Sequence, residues 1–498
     1  MTDVTFADRD RLARTPTHAV ALDALAAGIE AAHPARLVAD AVSVADGVLR
    51  IDGVSEDGSQ TYDLDAFDRT VLVGAGKAAD GLAAALVDAL AGTDAPVDTG
   101  TVVTTGTDAA PTVPGVAVRP GDHPLPSERG VASARHVVGA AERAGDGDLV
   151  LAAITGGGSA LLAAPADPLS VADIRATTDA LLGSGASIDE INAVRRHCSA
   201  VKGGRLARAA APATVATLAV SDVVGDDLAT IASGPTVPDP TTYADALATL
   251  DRYDLSVPDA VDAHLRAGAA GNRPETPAVG DPAFDRATAV VIGNGRTALD
   301  AAAAAAADRG FEPVVLASGV RGEASEAAVT HVAIGEECAT RGAPVEPPAV
   351  LLSGGETTVT LGDGAGSGGP NAEFAASAGV ALAASPAGLD GDAVVVASVD
   401  TDGIDGSTDA AGAVADAATF RPGSAGEPDD SAASDGAPDG STADDGAPDL
   451  AVARAALDRH DVAPLLDRAG ALLRTGPTGT NVDDLRVVAV APPAADDA

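Results

Sequence analysis

A run of aliphatic residues that stops in a glycine turn and resumes as an alanine- and leucine-rich segment constrains this chain more than any other feature. TVLVGAGKAADGLAAALVDALAG, residues 70–92, shows it first. DLVLAAITGGGSALL (148–162) and ATAVVIGNGRTALDAAAAAAADRG (287–310) repeat it. The apolar run reads as a strand buried on both faces. Leu82, Leu86 and Leu90 then share one helical face. ATLAVSDVVGDD (216–227), EPVVLASG (312–319), AVLLSGGETTV (349–359) and DAVVVASVDTDG (392–403) read as further strands. Strands alternating with helices predict an α/β fold with mostly parallel sheets.

Two segments punctuate this alternation. Residues 266–284 are rich in Gly, Pro and Ala. Residues 422–449 are acidic and carry no large apolar side chain, which predicts a disordered surface insertion. Periodic sequence resumes after it, so the insertion interrupts a domain. The expected division is 1–270 and 285–498.

Net charge is −42 over 498 residues, and the acids are spread through apolar-periodic segments. A folded protein with a carboxylate-coated surface fits that spread, and high salt screens the resulting self-repulsion. A halophilic setting is expected. Nucleic acid is excluded as a partner, because phosphate contacts need a basic surface. Cys198 and Cys338 stand alone, without zinc spacing or a disulfide framework. The first fifteen residues contain no apolar run of signal-peptide type. The uncharged run 149–166 is broken by glycines and a proline, so no membrane span is expected. The expected location is cytoplasmic.

Ligands of open α/β sheets bind beyond the carboxyl ends of the strands, and the unusual residues of this chain fall there. GAGKAA (74–79) and GNGRTA (293–298) fit G-x-G-x-x-A, a pattern that plain strand-to-helix turns also satisfy. Neither following strand ends in the acid that a dinucleotide ribose requires. Gly156, Gly157 and Gly158, followed by Ser159, predict backbone N–H groups turned toward an anion. VRRHCSAVKGGRLA (194–207) gathers Arg195, Arg196, Lys202 and Arg205, suited to carboxylate or phosphate. Asp222, Asp226 and Asp227 follow a strand and are candidate Mg²⁺ ligands. LLSGGETT and GDGAGSGGPNAE form a second glycine-rich group, with Gly354, Gly355, Glu356 and Asn371. Asp400, Asp402 and Asp405 lie in a third, and Asn481 in a fourth, TGPTGTNVDDL.

Only two of the 31 basic residues are lysine, Lys77 and Lys202, and both lie in these turns. Four of the five asparagines, Asn192, Asn294, Asn371 and Asn481, also lie in motifs. A chain that has nearly abandoned lysine keeps it where a compact ammonium meets an anionic ligand.

Taken in order, GAGKAA, GDHPLP, TGGGSALL, INAVRRHCSAVKGGRLA, SDVVGDDLATIASGPTVPDP, LSGGETTV, TDGIDGSTDAAGA and TGPTGTNVDDL resemble the D-glycerate 2-kinases that carry a MOFRL domain. The resemblance covers most of the chain. It implies a Rossmann-like N-terminal α/β domain, a smaller MOFRL-type α/β domain over about 349–490, and an active site in the cleft between domains. It implies transfer of the ATP γ-phosphoryl group to the 2-hydroxyl of D-glycerate, with Mg²⁺ or another divalent cation, by a monomer or homodimer. Some relatives are called hydroxypyruvate reductases, which makes NAD(P)H-dependent reduction the alternative. The resemblance matches Lys77 to a family lysine implicated in catalysis, and Asp222 is expected to act with it. Ser159, Arg195, Lys202 and Arg205 are expected to bind substrate. Gly74, Gly76, Gly156, Gly157, Gly158, Gly354, Gly355, Glu356 and Asn371 are expected to bind nucleotide, and Asp222, Asp227 and Asp402 metal. Where the family has an arginine in a Gly-Gly-Arg-Asn motif, this chain has Pro370.

Overall fold

The computed structural model describes residues 3–55, 58–106, 112–362, 364–389, 391–421 and 447–493. Residues 422–446 of the expected disordered insertion lie outside the described residues. At its end, the Asp449 side chain accepts from Ala451 N–H at 2.7 Å and caps the helix Leu450–Leu457.

The chain forms two compact units. One is Ala32–Thr297 with Gly479–Val482, the other Thr2–Ala31 with Ala298–Thr478 and Asp483–Ala498. The expected division at 270/285 runs across this one, because residues 2–31 fold with the second unit.

In the first unit, β1 (Val42–Ala45), β2 (Val48–Ile51) and β3 (Gln60–Asp63) make a small antiparallel sheet. The main sheet contains β4 (Arg69–Ala75), β5 (Val97–Thr105), β6 (Val116–Gly121), β7 (Asp148–Ile154), β8 (Thr214–Val220) and β9 (Ala287–Gly293). Its order is β6-β5-β4-β7-β8-β9, and every pairing is parallel. The sequence runs outward from β4 in one direction and from β7 in the other. That is the strand order of doubly wound Rossmann-type sheets, in which ligands sit where the order reverses. All seven residues of β7 are buried, as its unbroken apolar run requires. Val71, Val73, Val150 and Ile154 pack with Ala134 and Val137 of the helix Glu128–Ala141. Each fully buried aliphatic side chain of this kind contributes about 1.5–3 kcal/mol. Helix Ala79–Leu90 buries Leu82, Leu86 and Leu90, the predicted face.

A helical cluster joins β7, β8 and β9. Helices Val171–Leu182, Ile188–His197, Tyr243–Arg252 and Asp259–Ala269 share a core of Leu181, Ile191, Val194, Leu250, Val261 and Leu265. Ser170, Ser187 and Thr242 open three of them with complete capping boxes.

The second unit contains β10 (Glu312–Ala317), β11 (Ala349–Gly355), β12 (Val394–Asp400), β13 (Gly412–Ala415), β14 (Leu472–Leu473) and β15 (Asp484–Val490), in the order β10-β11-β15-β12-β13-β14. Only β10 and β11 pair in parallel. The expectation of mostly parallel sheets therefore holds for the first unit and not here. The last strand, β15, inserts between β11 and β12 and runs antiparallel to both. Helix Pro16–Ala31 lays Val20, Leu22, Leu25 and Ile29 on this sheet, against Val395, Val399, Leu485 and Val487. Its contribution to the second core explains why it leaves the unit that follows it in sequence.

Candidate active site

The turns after β4 and β7 are knitted together. Ala75 and Ile154 are register partners. Thr155 N–H donates to Ala75 O at 3.1 Å, and Lys77 N–H to Gly156 O at 2.8 Å. Thr155 Oγ1 accepts from Ala78 N–H at 3.1 Å. Gly76 has φ +147°, and a Cβ there would strike Thr155. Gly74 is equally confined, because a Cβ would strike Ala153 O. These glycines let two neighbouring turns share one small space, and Lys77 leaves from its edge. A Cβ on Gly157 would lie 3.0 Å from Lys77 Cγ and 3.2 Å from His123 Cδ2. His123, from GDHPLP, therefore belongs to the site, although sequence reasoning gave it no role.

Part of the glycine cradle is already used. Asp222, just past β8, accepts from Gly157 N–H at 3.2 Å and from Asn481 Nδ2 at 3.4 Å. Asn481 arrives on the segment Gly479–Val482, so the asparagine of the last motif reaches the first unit. Gly158 opens a helix of only four residues, Gly158–Leu161, too short for a strong dipole. Burial pushes the Asp222 carboxyl upward, while its own and the Gly157 N–H groups and Lys77 oppose that shift. Asp222 thus holds a proton more readily than an ordinary carboxylate does.

The other acids of SDVVGDD already have partners within the protein. Asp227 is exposed and accepts from Thr230 Oγ1 at 2.7 Å and Ala229 N–H at 3.1 Å. Asp226 accepts from Asn294 Nδ2 at 2.6 Å. Asp402, in the second unit, accepts from Ile404 N–H at 2.8 Å. Among the described residues no group of three or more His, Cys, Asp or Glu side chains could hold a metal by itself.

The basic stretch divides. Arg196 is buried against Asp239 at 3.2 Å and Ala229 O at 2.7 Å. Arg205 donates to Arg196 O at 2.8 Å, and burial lowers its pKa. Lys202 is buried and donates to Ser159 O at 2.8 Å and Ala232 O at 3.4 Å. Burial lowers Lys202 to about 7, with Arg195 and Arg196 adding to the shift. Arg195, Lys202, Ser159, Gly157 and His123 are among the residues that line a cavity of about 240 Å³. The rest of its lining is mostly apolar, with Val131, Val171, Ile174 and Leu181, and includes Thr177 and Thr178. Of the expected substrate residues, the structure gathers Ser159, Arg195 and Lys202 here and commits Arg205 to a backbone carbonyl.

Sequence reasoning also passed over Ser233. Its hydroxyl lies 2.9 Å from Ser159 Oγ and donates to Asn192 Oδ1 at 3.0 Å. Ala232 and Ser233 have φ +50° and +62°. Two consecutive non-glycine residues in the left-handed region mark strain of the kind functional turns hold. The signal available was the Ser-Gly-Pro turn that contains Ser233.

In the second unit, Gly355 (φ +113°) is required because a Cβ would strike the backbone of Val320. Gly354 and Glu356 flank it at the end of β11. Asn371 is buried and committed. Its Nδ2 donates to Asp484 at 2.7 Å and Asp405 at 3.3 Å, and its Oδ1 accepts from Ser398. Asp405 also accepts from the N–H groups of Asn371 (2.9 Å) and Ala372 (2.7 Å), capping the helix Pro370–Ala383. Pro370 opens that helix, where a missing N–H costs nothing. Arg486 is fully buried against Asp484 and donates to Thr357 Oγ1 at 2.8 Å.

Residues 20–266 match the family described as "Domain of unknown function (DUF4147)", and residues 349–436 match the MOFRL family. A glycerate 2-kinase of Pyrococcus horikoshii is 40% identical over 350 residues, 70% of this chain and 72% of that protein. A putative hydroxypyruvate reductase of Agrobacterium vitis is 43% identical over 357 residues, 71% of this chain and 73% of that one. The crystal structure of a glycerate kinase from Thermotoga maritima superposes with a TM-score of 0.74 at 33% identity, covering 95% of this chain and 99% of that one.

Proposed function

Because this chain belongs to the MOFRL-containing glycerate 2-kinase family, we propose that it phosphorylates D-glycerate at the 2-hydroxyl, with ATP as donor, to give 2-phosphoglycerate. One observation carries the residue assignment: Lys77, Asp222 and Gly157 converge where the strand order of the parallel sheet reverses.

Phosphoryl transfer needs in-line positioning and charge neutralisation more than covalent help. Lys77 supplies an ammonium beside the paired glycine turns and neutralises the transferring group. Asp222 holds the attacking hydroxyl and takes its proton. Its raised affinity for a proton suits that task. Arg195 and Lys202 hold the glycerate carboxylate at the wall of the cavity. Gly74, Gly76 and Gly156–Gly158 let the turns after β4 and β7 pack closely enough to present Lys77 and backbone groups to the phosphates. A divalent cation, when bound, supplies further neutralisation of phosphate oxygens. Asp222, half-buried beside Gly157 and Lys77, is the carboxylate that would hold it. Asp227 is the second carboxylate proposed.

The reductase reading has less support. A nicotinamide dinucleotide needs an acid at the end of β5 for its ribose. This chain has Thr104 and Thr105 there, and Thr104 Oγ1 donates to Lys77 O at 3.1 Å.

The test is an assay with ATP, Mg²⁺ and D-glycerate in molar KCl, where a chain of net charge −42 is best screened. Phosphorus NMR reads which hydroxyl carries the phosphate. A 2-phosphoglycerate signal is the expected result. NADH oxidation on hydroxypyruvate without phosphoryl transfer would overturn it.

A further inference from the structure

Ser159 was expected to bind substrate, and its surroundings fix how. Ser233 is fully buried and Asn192 is 1% exposed; Ser233 Oγ meets the Asn192 carbonyl oxygen, while Asn192 Nδ2 has no partner among the described residues. The Asn192 carbonyl oxygen can only accept, so Ser233 gives it its single proton, across 3.0 Å. At the 2.9 Å contact with Ser159, Ser233 can then only accept. Ser159 must donate there, and a hydroxyl has one proton to donate. Toward the cavity it lines, Ser159 is left with lone pairs alone.

A hydroxyl that can only accept repels carboxylate and phosphate oxygens and welcomes an O–H donor. Resting on the glycerate reading above, we propose that Ser159 is a specificity residue that accepts a hydrogen bond from the non-reacting 3-hydroxyl of glycerate. Ser233 and Asn192 are the positioning residues that set its direction. The division of labour follows from placement. Lys77 and Asp222 meet around Gly157 and take the reacting 2-hydroxyl, while Ser159 stands two residues further along the same turn. Lys202, donating to the Ser159 carbonyl at 2.8 Å, pins the backbone from which the hydroxyl projects. The cationic groups of the wall remain for the carboxylate.

The experiment compares D-glycerate with D-lactate, the same acid without the 3-hydroxyl, as phosphoryl acceptors. Wild type favours glycerate about ten-fold or more in kcat/KM, because a site built around a hydroxyl rejects its deoxy analogue. Ser159→Ala lowers kcat/KM for glycerate about five- to ten-fold and leaves lactate within about two-fold. Ser233→Ala keeps the Ser159 hydroxyl but lets its proton swing into the cavity. It therefore also loses preference for glycerate, with the change in the KM for glycerate and kcat within about two-fold. Asn192→Leu gives the same pattern.

Equal losses on both acids in Ser159→Ala would mean that Ser159 donates to the shared carboxylate, as it would if the Asn192 amide were reversed, and would overturn the proposal. Selectivity unchanged in Ser159→Ala or in Ser233→Ala would overturn it as well. These results leave the kinase reading intact. Absence of transfer to glycerate by wild type overturns that reading and this one together.

Discussion

Two buried cations, Lys202 in the first unit and Arg486 in the second, are held differently. In the first unit Lys202 is held by two backbone carbonyls, with Arg195 and Arg196 as charged neighbours. In the second, Arg486 is held by the carboxylate of Asp484 and stacks over Phe374 at 5.3 Å. Carbonyls solvate a charge without cancelling it, so Lys202 gives up its proton easily. A carboxylate cancels it, and Arg486 keeps its charge at the cost of two buried nitrogens, Nε and Nη1, that find no partner. The first arrangement suits a group that meets an incoming anion. The second is already complete and holds elements together: Asp484 ties Arg486 to Asn371, and Asn371 to Asp405 at the start of a helix. The contrast separates a binding site from a structural network, although both are charged, buried and close to glycine-rich turns.

The largest expected effect tests the structural network. Arg486→Leu leaves Asp484 buried without its counter-ion, and breaking such a pair costs about 3–5 kcal/mol. Chemical denaturation should show this loss. A loss under 1 kcal/mol would mean that Arg486 is not the keystone described. Next comes the site. Lys77→Ala should lower kcat by about 10²–10³, the usual cost of removing one preorganised stabilising group, with little change in stability. Near-normal turnover would remove Lys77 from the chemistry.

The same contrast explains what could be read from sequence. The first-unit site is built from local words. GAGK and TGGGS each follow a strand, and a parallel sheet brings its strand ends to one edge, so Lys77 and Gly156–Gly158 were legible as residues of that edge, while the adjacency of β4 and β7 was not. The second-unit network joins residues 371, 405 and 484–486, brought together only because β15 enters between β11 and β12. No local pattern announces that insertion, and Arg486 in DLRVVAV looks like a surface residue of an edge strand. Helix Pro16–Ala31 was misplaced for a similar reason, since its apolar face says that it packs without saying on which sheet. Arg196 and Arg205 could not be told from Lys202 within one basic run, because their partners, Asp239 and a carbonyl, are fixed by folding.

The two units should also respond to pH in opposite directions. Lys202 has a folded pKa of about 7 against an ordinary 10.5. Below pH 7 it is charged folded or unfolded, and the full burial penalty is present. Between 7 and 10.5 the unfolded chain holds the extra proton, so stability rises with pH. Asp405, raised to about 7 from 3.8 by burial and by Asp484, behaves in reverse. Its carboxyl faces the Asn371 and Ala372 N–H groups and the Asn371 amide. Between 3.8 and 7 the folded state holds the extra proton, so stability falls as pH rises. Hydrogen exchange read separately in β8 and in helix Pro370–Ala383 should show protection of the first growing above pH 7 and of the second shrinking from pH 4 to 7. Lys202→Met should flatten only the first trend and Asp405→Asn only the second. A shared response would show that the two sites do not titrate independently.

The smallest effect concerns a feature fully visible in sequence. Ser187 begins SIDE, and its hydroxyl accepts from Glu190 N–H at 3.4 Å while Glu190 accepts from Ser187 N–H at 2.9 Å. This capping box opens the helix Ile188–His197, which carries Asn192, Arg195 and Arg196. Ser187→Ala should cost about 1 kcal/mol, as loss of a helix N-cap does. The consequence for the site is sharper than that number. The cap lies at the far end of the helix from Arg195, so fraying its first turn should lower stability and leave the KM for glycerate unchanged. A raised KM would show that Asn192, on the second turn, loses its hold on Ser233 when the helix start loosens, and that the hydroxyl relay depends on a cap at the protein surface.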